Sequence, residues 1–176
     1  MNFEKISNAD LNRPDLESYK KQEKIPIIVI LEDVRSLLNV GSVFRTSDAF
    51  NVEAIYLCGI TGTPPNKEIH KSALGSTESV SWKYFATTKE AIKELKEKEY
   101  KIYAIEQTKE AIMLHKFDCI INQKKVLIFG NEVEGVQQST INQCDGVIEI
   151  PQYGTKHSLN VSVSAGIVLW EMIRGI

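Results

Sequence analysis

The chain of 176 residues carries 21 lysines and arginines against 23 aspartates and glutamates, which gives a formal net charge of -2. This balance excludes a basic histone-like protein, so any nucleic-acid partner would have to be attracted by a local positive surface. The hydrophobic content of 43% with 25% charged residues is typical of one soluble globular domain and excludes a disordered or collagen-like chain.

The cysteines and the N-terminus indicate a cellular compartment. Cys58, Cys119 and Cys144 are far apart and never spaced as C-x-x-C, which predicts neither a disulfide framework nor a thiolate metal site. The N-terminus lacks the apolar run of a signal peptide, and no stretch approaches the roughly 18 apolar residues of a membrane span. The sequence therefore predicts a cytoplasmic protein without a membrane partner.

In chain order, a polar segment comes before the first predicted strand. Residues 1–24 are polar, with a turn around Pro14 ahead of a short helix, and we interpret them as an N-terminal extension to a domain of residues 25–176. Apolar runs rich in β-branched residues predict strands that are buried on both faces, at 25–31, 54–58, 102–105, 126–129 and 147–150.

Helical patterns lie between and after these runs, at 43–50, 87–98, 136–143 and 160–174. Thr87 and Glu90 have the spacing of a capping box. The alternation of strands and helices predicts an α/β fold with a parallel sheet and a ligand at the carboxyl ends of its strands. The longest predicted loop, 59–81, is compatible with a binding loop and equally with a surface excursion.

Small polar residues occur in three segments near the ends of predicted strands, and these segments form the candidate site. The first runs from Asn39 to Thr46, where we expect Asn39 to cap a helix and Arg45 to lie within it. A pair between Arg45 and Asp48 on a solvated helix face would explain the arginine without any function.

The second segment, 130–135, directly follows a predicted strand. Its glycines suit either a strand-to-helix turn or the close approach of a ligand to bare backbone. The third segment, 150–160, leads into the last helix, where Ser158 or Asn160 would serve as the N-cap. Each segment taken alone therefore has an ordinary structural explanation.

Several other chemistries lack their sequence motifs. No G-x-G-x-x-G follows the first strand and no P-loop sequence occurs, which disfavours a Rossmann oxidoreductase and NTP hydrolysis. The G-x-S-x-G motif of a serine hydrolase is also absent. His70, His115 and His157 lack metal-ligand spacing, so we predict no metal.

Taken together and in this order, the three segments resemble the signature motifs of the SpoU (TrmH-type) family of RNA ribose methyltransferases, within the SPOUT superfamily. The corresponding residues are 39–46, 127–136 and 150–162, and the likeness extends from about Ile25 to the C-terminus. A single motif would be weak, whereas three ordered motifs make the resemblance specific.

The resemblance implies a single-domain, parallel-sheet SPOUT fold whose C-terminal segment forms a deep trefoil knot, a rare exception to the rule against knotted chains. It also implies a homodimer whose active site is completed across the interface, with the apolar last helix as one candidate surface; core packing explains that helix equally well. The implied cofactor is S-adenosylmethionine, without a metal. The residues implied to contact it are Gly130, Ile150, Leu159, Gly135 and, at the end of its strand, Glu106.

The implied reaction transfers the sulfonium methyl group to a ribose 2′-hydroxyl of RNA. Arg45 matches the catalytic arginine of the family, either as a base or as a phosphate clamp; we favour the clamp because a guanidinium pKa lies above about 12. Asn39 would orient Arg45 or the ribose. Glu132, Ser158 and Asn160 would fix the pocket by hydrogen bonds, and Glu132 could accept one from the arginine.

We expect the RNA contacts to come from Arg35, Arg45 and Lys156. The resemblance covers no separate N-terminal substrate-binding domain, which favours tRNA over rRNA as the substrate. Ribose methylation of rRNA is the first alternative, and a catalytically silent RNA-binding module of the same fold is the second. The acidic helix that carries Glu90 and Glu94 can face away from the RNA.

Overall fold

The computed structural model describes residues 1, 3–120 and 123–174; residues 2, 121, 122, 175 and 176 of the predicted extension and domain lie outside this description. The strands within it are Ile25–Glu32 (β1), Val52–Cys58 (β2), Ser81–Phe85 (β3), Lys101–Ile105 (β4), Ile112–Met113 (β5), Lys125–Phe129 (β6) and Gly146–Glu149 (β7). All of their pairings are parallel, in the order β3-β2-β1-β6-β4-β7-β5. The predicted α/β class with a parallel sheet is confirmed.

Two strands, β3 and β5, are missing from the sequence prediction. The central strands β1 and β6 are buried along most of their length and appear in the sequence as unbroken apolar runs. In contrast, β3 lies at one edge of the sheet and is largely exposed, and β5 is a two-residue strand at the other edge. Neither edge strand contains an apolar run that could have indicated it.

The helices are Leu16–Lys21 (α1), Leu37–Ala49 (α2), Lys67–Ala73 (α3), Ser76–Ser79 (α4), Thr88–Glu97 (α5), Gln138–Ile141 (α6) and Val161–Ile173 (α7). Thr87 caps α5 in the predicted capping box with Glu90. Of the two candidates for the cap of α7, Asn160 has that role, because its side chain accepts from the amides of Ser162 and Val163. None of the described helices is long and apolar enough to span a membrane.

Three helix predictions need correction. The helix α2 begins at Leu37 rather than at residue 43, and its N-cap is Ser36, whose hydroxyl accepts from the Asn39 amide. Asn39 therefore lies inside the first turn and is not the cap. The helix α6 is a single turn rather than the predicted 136–143. The segment 59–81, predicted as a loop, contains both α3 and α4.

The core is divided between the two faces of the sheet. Apolar side chains of α2, α3 and α7 pack on one face, and those of α5 pack on the other. Glu94 on α5 is bound to Lys83 and Lys98. The helix α5 has three lysines and three glutamates, so it is not acidic as predicted. It lies on the face of the sheet opposite to α2.

The N-terminal segment contacts the domain through α1. Tyr19 is buried, and its hydroxyl donates to the Asp48 carbonyl oxygen at 2.9 Å. The carboxylate of Asp48 accepts from the Ser79 hydroxyl. The Arg45–Asp48 pair that would have explained Arg45 without a function is not formed among the described ion pairs. The division of the chain at residue 25, where β1 begins, stays a prediction.

Candidate active site

A cavity of about 520 Å³ opens at the carboxyl edge of the sheet, where β4, β6 and β7 end. Open α/β sheets bind their ligands at this edge. The cavity is formed by the loops that follow these three strands and by the start of α7. It is lined by every residue predicted to contact the cofactor and by three of the predicted catalytic residues: Gly130, Ile150, Leu159, Glu106, Gly135, Glu132, Ser158 and Asn160.

The turn after β6 folds back on itself at its two glycines. The amide of Asn131 donates to the Gly135 carbonyl at 3.0 Å, and the reverse bond measures 2.9 Å. A Cβ on Gly130 would lie 2.1 Å from the Gly135 carbonyl carbon and 2.2 Å from the Val136 nitrogen. Gly135 itself has a φ of +69°, which disfavours other residues. Both glycines are therefore required for this turn to form the cavity wall.

Two carboxylates accept hydrogen bonds from the end of this turn and the residue that follows it. Glu106 accepts from the Gln107 amide at 2.7 Å and from the Val136 amide at 3.0 Å. Glu32, at the end of β1, is only 2% exposed and accepts from the Gln137 amide at 2.9 Å and from the Thr140 hydroxyl. Sequence reasoning missed Glu32, although a carboxylate that ends an apolar strand was a usable signal.

A hydrogen-bond network joins the three motif segments. The Glu132 carboxylate accepts from the main-chain amides of Arg35 and Ser36 and from the Asn39 side chain, each at 3.0 Å. The Asn160 side chain in turn donates to the Asn39 side-chain oxygen at 3.1 Å. Asn39 therefore connects the first segment to both of the others.

The charge of Glu132 is stabilised by these bonds. Burial alone would raise the pKa of its carboxyl, but the amides of Arg35 and Ser36 and the Asn39 side chain outweigh burial and hold the pKa below its ordinary value. The bond that Glu132 was expected to accept from Arg45 is absent among the described hydrogen bonds, because the start of α2 supplies the donors instead.

We expect Glu132→Gln to lower the free energy of unfolding by about 1–3 kcal/mol, since an amide offers one acceptor oxygen to three donors. Because the native pKa of Glu132 is lowered, its contribution is complete above the ordinary value of 4.5 and is lost as pH falls through the native pKa. Urea unfolding should therefore show that the free energies of unfolding of the wild type and Glu132→Gln become more similar as the pH is lowered from neutral to acidic. Glu134→Gln, in the same turn but exposed, should change stability by less than about 0.5 kcal/mol.

The loop between β7 and α7 forms the outer wall of the cavity. Its exposed residues include Ser158 and Leu159, and the Gln107 side chain donates to the His157 carbonyl at 2.6 Å. Gln107 is a contact that sequence reasoning missed. It fixes the outer loop to the end of β4, so it helps to position Leu159 over the cavity.

The cations predicted to act on RNA lie outside the cavity. Arg45 is exposed on α2 and forms no ion pair with a described residue. Arg35 and Lys156 are also exposed, on the segment before α2 and on the loop before α7. The structure thus brings the predicted cofactor residues together with Asn39, and it leaves Arg45 apart from them. No group of three or more potential metal ligands occurs in the part of the chain that the structure describes.

Known proteins with similar sequences show which family this chain belongs to. The model of the SpoU rRNA Methylase family matches residues 26–170. The chain belongs to this family. It is 32% identical to the 23S rRNA (guanosine-2'-O-)-methyltransferase RlmB of Neisseria meningitidis, over 85% of this chain and 58% of that protein. It is 29% identical to the tRNA (guanosine(18)-2'-O)-methyltransferase of Thermus thermophilus, over 94% of this chain and 84% of that protein.

Among solved structures, the AdoMet-bound rRNA methyltransferase of Sinorhizobium meliloti superimposes with a TM-score of 0.80 at 25% identity. The alignment covers 92% of this chain and 60% of that one. The seven-stranded parallel sheet is thus that of SpoU-type enzymes. The chain spans less than two thirds of the length of RlmB, the first of these relatives.

Proposed function

We propose that this protein transfers the methyl group of S-adenosylmethionine to a ribose 2′-hydroxyl of RNA. The observation that carries the proposal is that the second and third segments line one cavity at the carboxyl edge of the sheet, and that Asn39 of the first segment is hydrogen-bonded to their Glu132 and Asn160. The two relatives described above are both named as 2′-O-methyltransferases, one of rRNA and one of tRNA.

The cavity residues fit the proposed methyl donor. The walls offer glycine backbone at 130 and 135 and apolar side chains at Ile150 and Leu159, which suits an adenine bound mainly by main-chain groups. A Cβ on Gly130 would overlap the backbone of Gly135 and Val136, so only glycine allows this turn, whose main chain lines the cavity. When bound, the cofactor supplies an electrophilic methyl group on a sulfonium.

The polar residues position the acceptor. In the proposed mechanism, Asn39 is fixed by Glu132 and Asn160 and orients the ribose, while Ser158 offers a hydroxyl at the cavity wall. Arg45 binds the phosphate next to the reacting ribose and stabilises the developing alkoxide, because an always-charged guanidinium is a poor base and a strong clamp. Arg35 and Lys156 add phosphate contacts around the opening.

In the proposed homodimer, Arg45 of one chain lies at the cavity of the other. Leu38 on α2 and three residues of the adjoining α7 form an exposed apolar face next to Arg45: Val163, Ile167 and Trp170. A soluble chain gains by covering such a face, and a two-fold axis would cover it with its own copy. The proposal therefore completes each cavity with the Arg45 of the partner.

We expect Trp170→Glu to dissociate this dimer, because the carboxylate would be buried without a partner. Trp170 is 59% exposed in the single chain, so the monomer should keep its fold. Light scattering coupled to size exclusion would measure the mass. Ile112→Glu, 43% exposed on the edge strand β5, should leave the dimer intact. A dimer that survives Trp170→Glu would contradict the proposed interface.

We propose tRNA as the substrate, with rRNA as the alternative. The chain covers 84% of the T. thermophilus tRNA enzyme but only 58% of RlmB, so the matched region is closer to a whole tRNA enzyme. Purified protein should be incubated with S-adenosylmethionine and unmodified transcripts of tRNA or 23S rRNA, followed by mass spectrometry of the nucleosides. A 2′-O-methylated nucleoside from tRNA is the expected product. Cofactor binding without any methylated nucleoside would instead support a silent RNA-binding module.

Two finer features complete the proposal. We infer that the C-terminal segment forms the trefoil knot, which is supported by the path of the loop before α7: it is bound to Gln107 after β4 and to Asn39 on α2. We also infer a cytoplasmic location, supported by three free cysteines, which suit a reducing compartment.

A further inference from the structure

A second cavity, of about 580 Å³, opens at the β3 edge of the sheet. It lies between α3 with its preceding loop, α4 and the beginning of β3. Its volume is within the range of small-ligand sites, roughly 300–1,000 Å³. The proposed methyl transfer does not use this cavity, so its side chains need another explanation.

The helix α3, which forms one wall of this second cavity, is fixed against α2. A Cβ on Gly41 would lie 2.2 Å from the Ile69 carbonyl oxygen, so the two backbones are in close contact. The Ser72 hydroxyl also donates to the Leu38 carbonyl oxygen at 2.9 Å. Packed helices have axes about 8–10 Å apart. The second cavity therefore lies one helix away from the helix that carries Arg45.

The lining combines flat apolar groups with basic side chains. Trp82 is partly buried against the core, and Pro64 and Pro65 add further apolar wall. Lys67 and His70 are exposed on α3, and neither forms an ion pair with a residue in the described ranges. Nucleobases of any sequence stack on aromatic side chains, and basic side chains bind the phosphates between bases.

We propose that the second cavity binds one unpaired nucleotide of the RNA, with its base on Trp82 and its phosphate at Lys67 and His70; this inference rests on the proposed function. Glu78 places a carboxylate in the same wall, where it can accept an N–H from a base edge. A nucleotide held here is one helix away from α2, which carries Arg45. The cavity would thus select RNA with an unpaired nucleotide near the methylated position.

A peptide partner fits the second cavity less well. Aromatic-lined grooves also bind proline-rich peptides, but such ligands have no phosphate for the basic side chains of α3. Addition of a strand to β3 is opposed by Lys83, an exposed lysine on this edge strand. The nucleotide accounts for both the aromatic wall and the basic side chains.

The test compares the double variant Lys67→Ala/His70→Ala with Lys71→Ala, which removes an exposed cation of the same helix that does not line the cavity. Fluorescence anisotropy would measure binding of unmodified, fluorescein-labelled tRNA and 23S rRNA transcripts. We expect the Kd to rise about tenfold in the double variant and to stay near the wild-type value in Lys71→Ala. Ultraviolet cross-linking of the same RNA should identify Trp82 as an attachment point.

Equal Kd values for the double variant and wild type, or equal weakening in Lys71→Ala, would overturn the proposed nucleotide site. Retention of the protein on a proline-rich peptide column, with neither transcript able to displace it, would also overturn the nucleotide site. Methyl transfer is measured on the same samples. A wild-type protein that transfers no methyl group, but loses RNA affinity in the double variant, would refute the proposed function and retain the nucleotide site.

Discussion

Gly130→Ala is expected to abolish binding of S-adenosylmethionine while the rest of the fold persists. The added Cβ would lie within 2.2 Å of the Gly135 carbonyl oxygen and the Val136 nitrogen. Both are backbone atoms, and Val136 is bound to Glu106, so the turn must open to relieve the overlap. Displacement of a site by about 1 Å can reduce a rate about 100-fold, and we expect at least this loss of methyl transfer.

The control for Gly130→Ala is Gly154→Ala, in the loop before α7. A Cβ on Gly154 would meet no atom within 4 Å, so this substitution should leave cofactor binding unchanged. Calorimetric titration with S-adenosylmethionine measures the affinity, and thermal unfolding reports the fold. We expect the overlap in Gly130→Ala to lower the free energy of unfolding by about 1–3 kcal/mol. Wild-type cofactor affinity in a folded Gly130→Ala protein would show that this turn is not the cofactor wall.

The central part of the fold could be predicted because its signals are local. The strands β1 and β6 are buried between two helical layers and therefore appear as apolar runs. The capping box of α5 is contained within four consecutive positions, from Thr87 to Glu90. In contrast, α3 and α4 are short helices in a segment rich in proline and glycine. The side chain of Asn66 does cap α3 by accepting from the Glu68 amide, and this signal was available in the sequence.

The sequence indicated which residues to propose for the site, but it did not indicate the contacts between them. Residue types and the resemblance indicated Asn39, Glu132 and Asn160 as members. Their hydrogen bonds join positions about 90 to 120 apart in the chain, and no local pattern encodes such a contact. Asn39 shows the limit most clearly: an asparagine before an apolar run suggests a cap, but Ser36 is the cap and frees the Asn39 side chain for the network.

Arg45→Ala is expected to reduce methyl transfer by about 100–1,000-fold, the range for loss of one group that stabilises an oxyanion. The affinity for S-adenosylmethionine should not change, since the proposed contact of Arg45 is with the RNA phosphate and not with the cofactor. Stability should change by less than about 0.5 kcal/mol, because the side chain is exposed. Arg45→Lys keeps the charge but loses the planar fork, so we expect partial activity with an unaltered pH profile. An altered pH profile would instead favour the arginine as a base.

Mixed dimers decide whether Arg45 serves the cavity of its own chain or that of its partner. An Arg45→Ala protomer keeps an intact cavity, and a Gly130→Ala protomer keeps an intact arginine. If the site is shared, a dimer of the two has one working site, and random mixing should restore about a quarter of wild-type activity. If Arg45 acts on its own cavity, neither protomer can work and mixing restores nothing. Methyl transfer after the two inactive variants are unfolded and refolded together therefore tests the composite site directly.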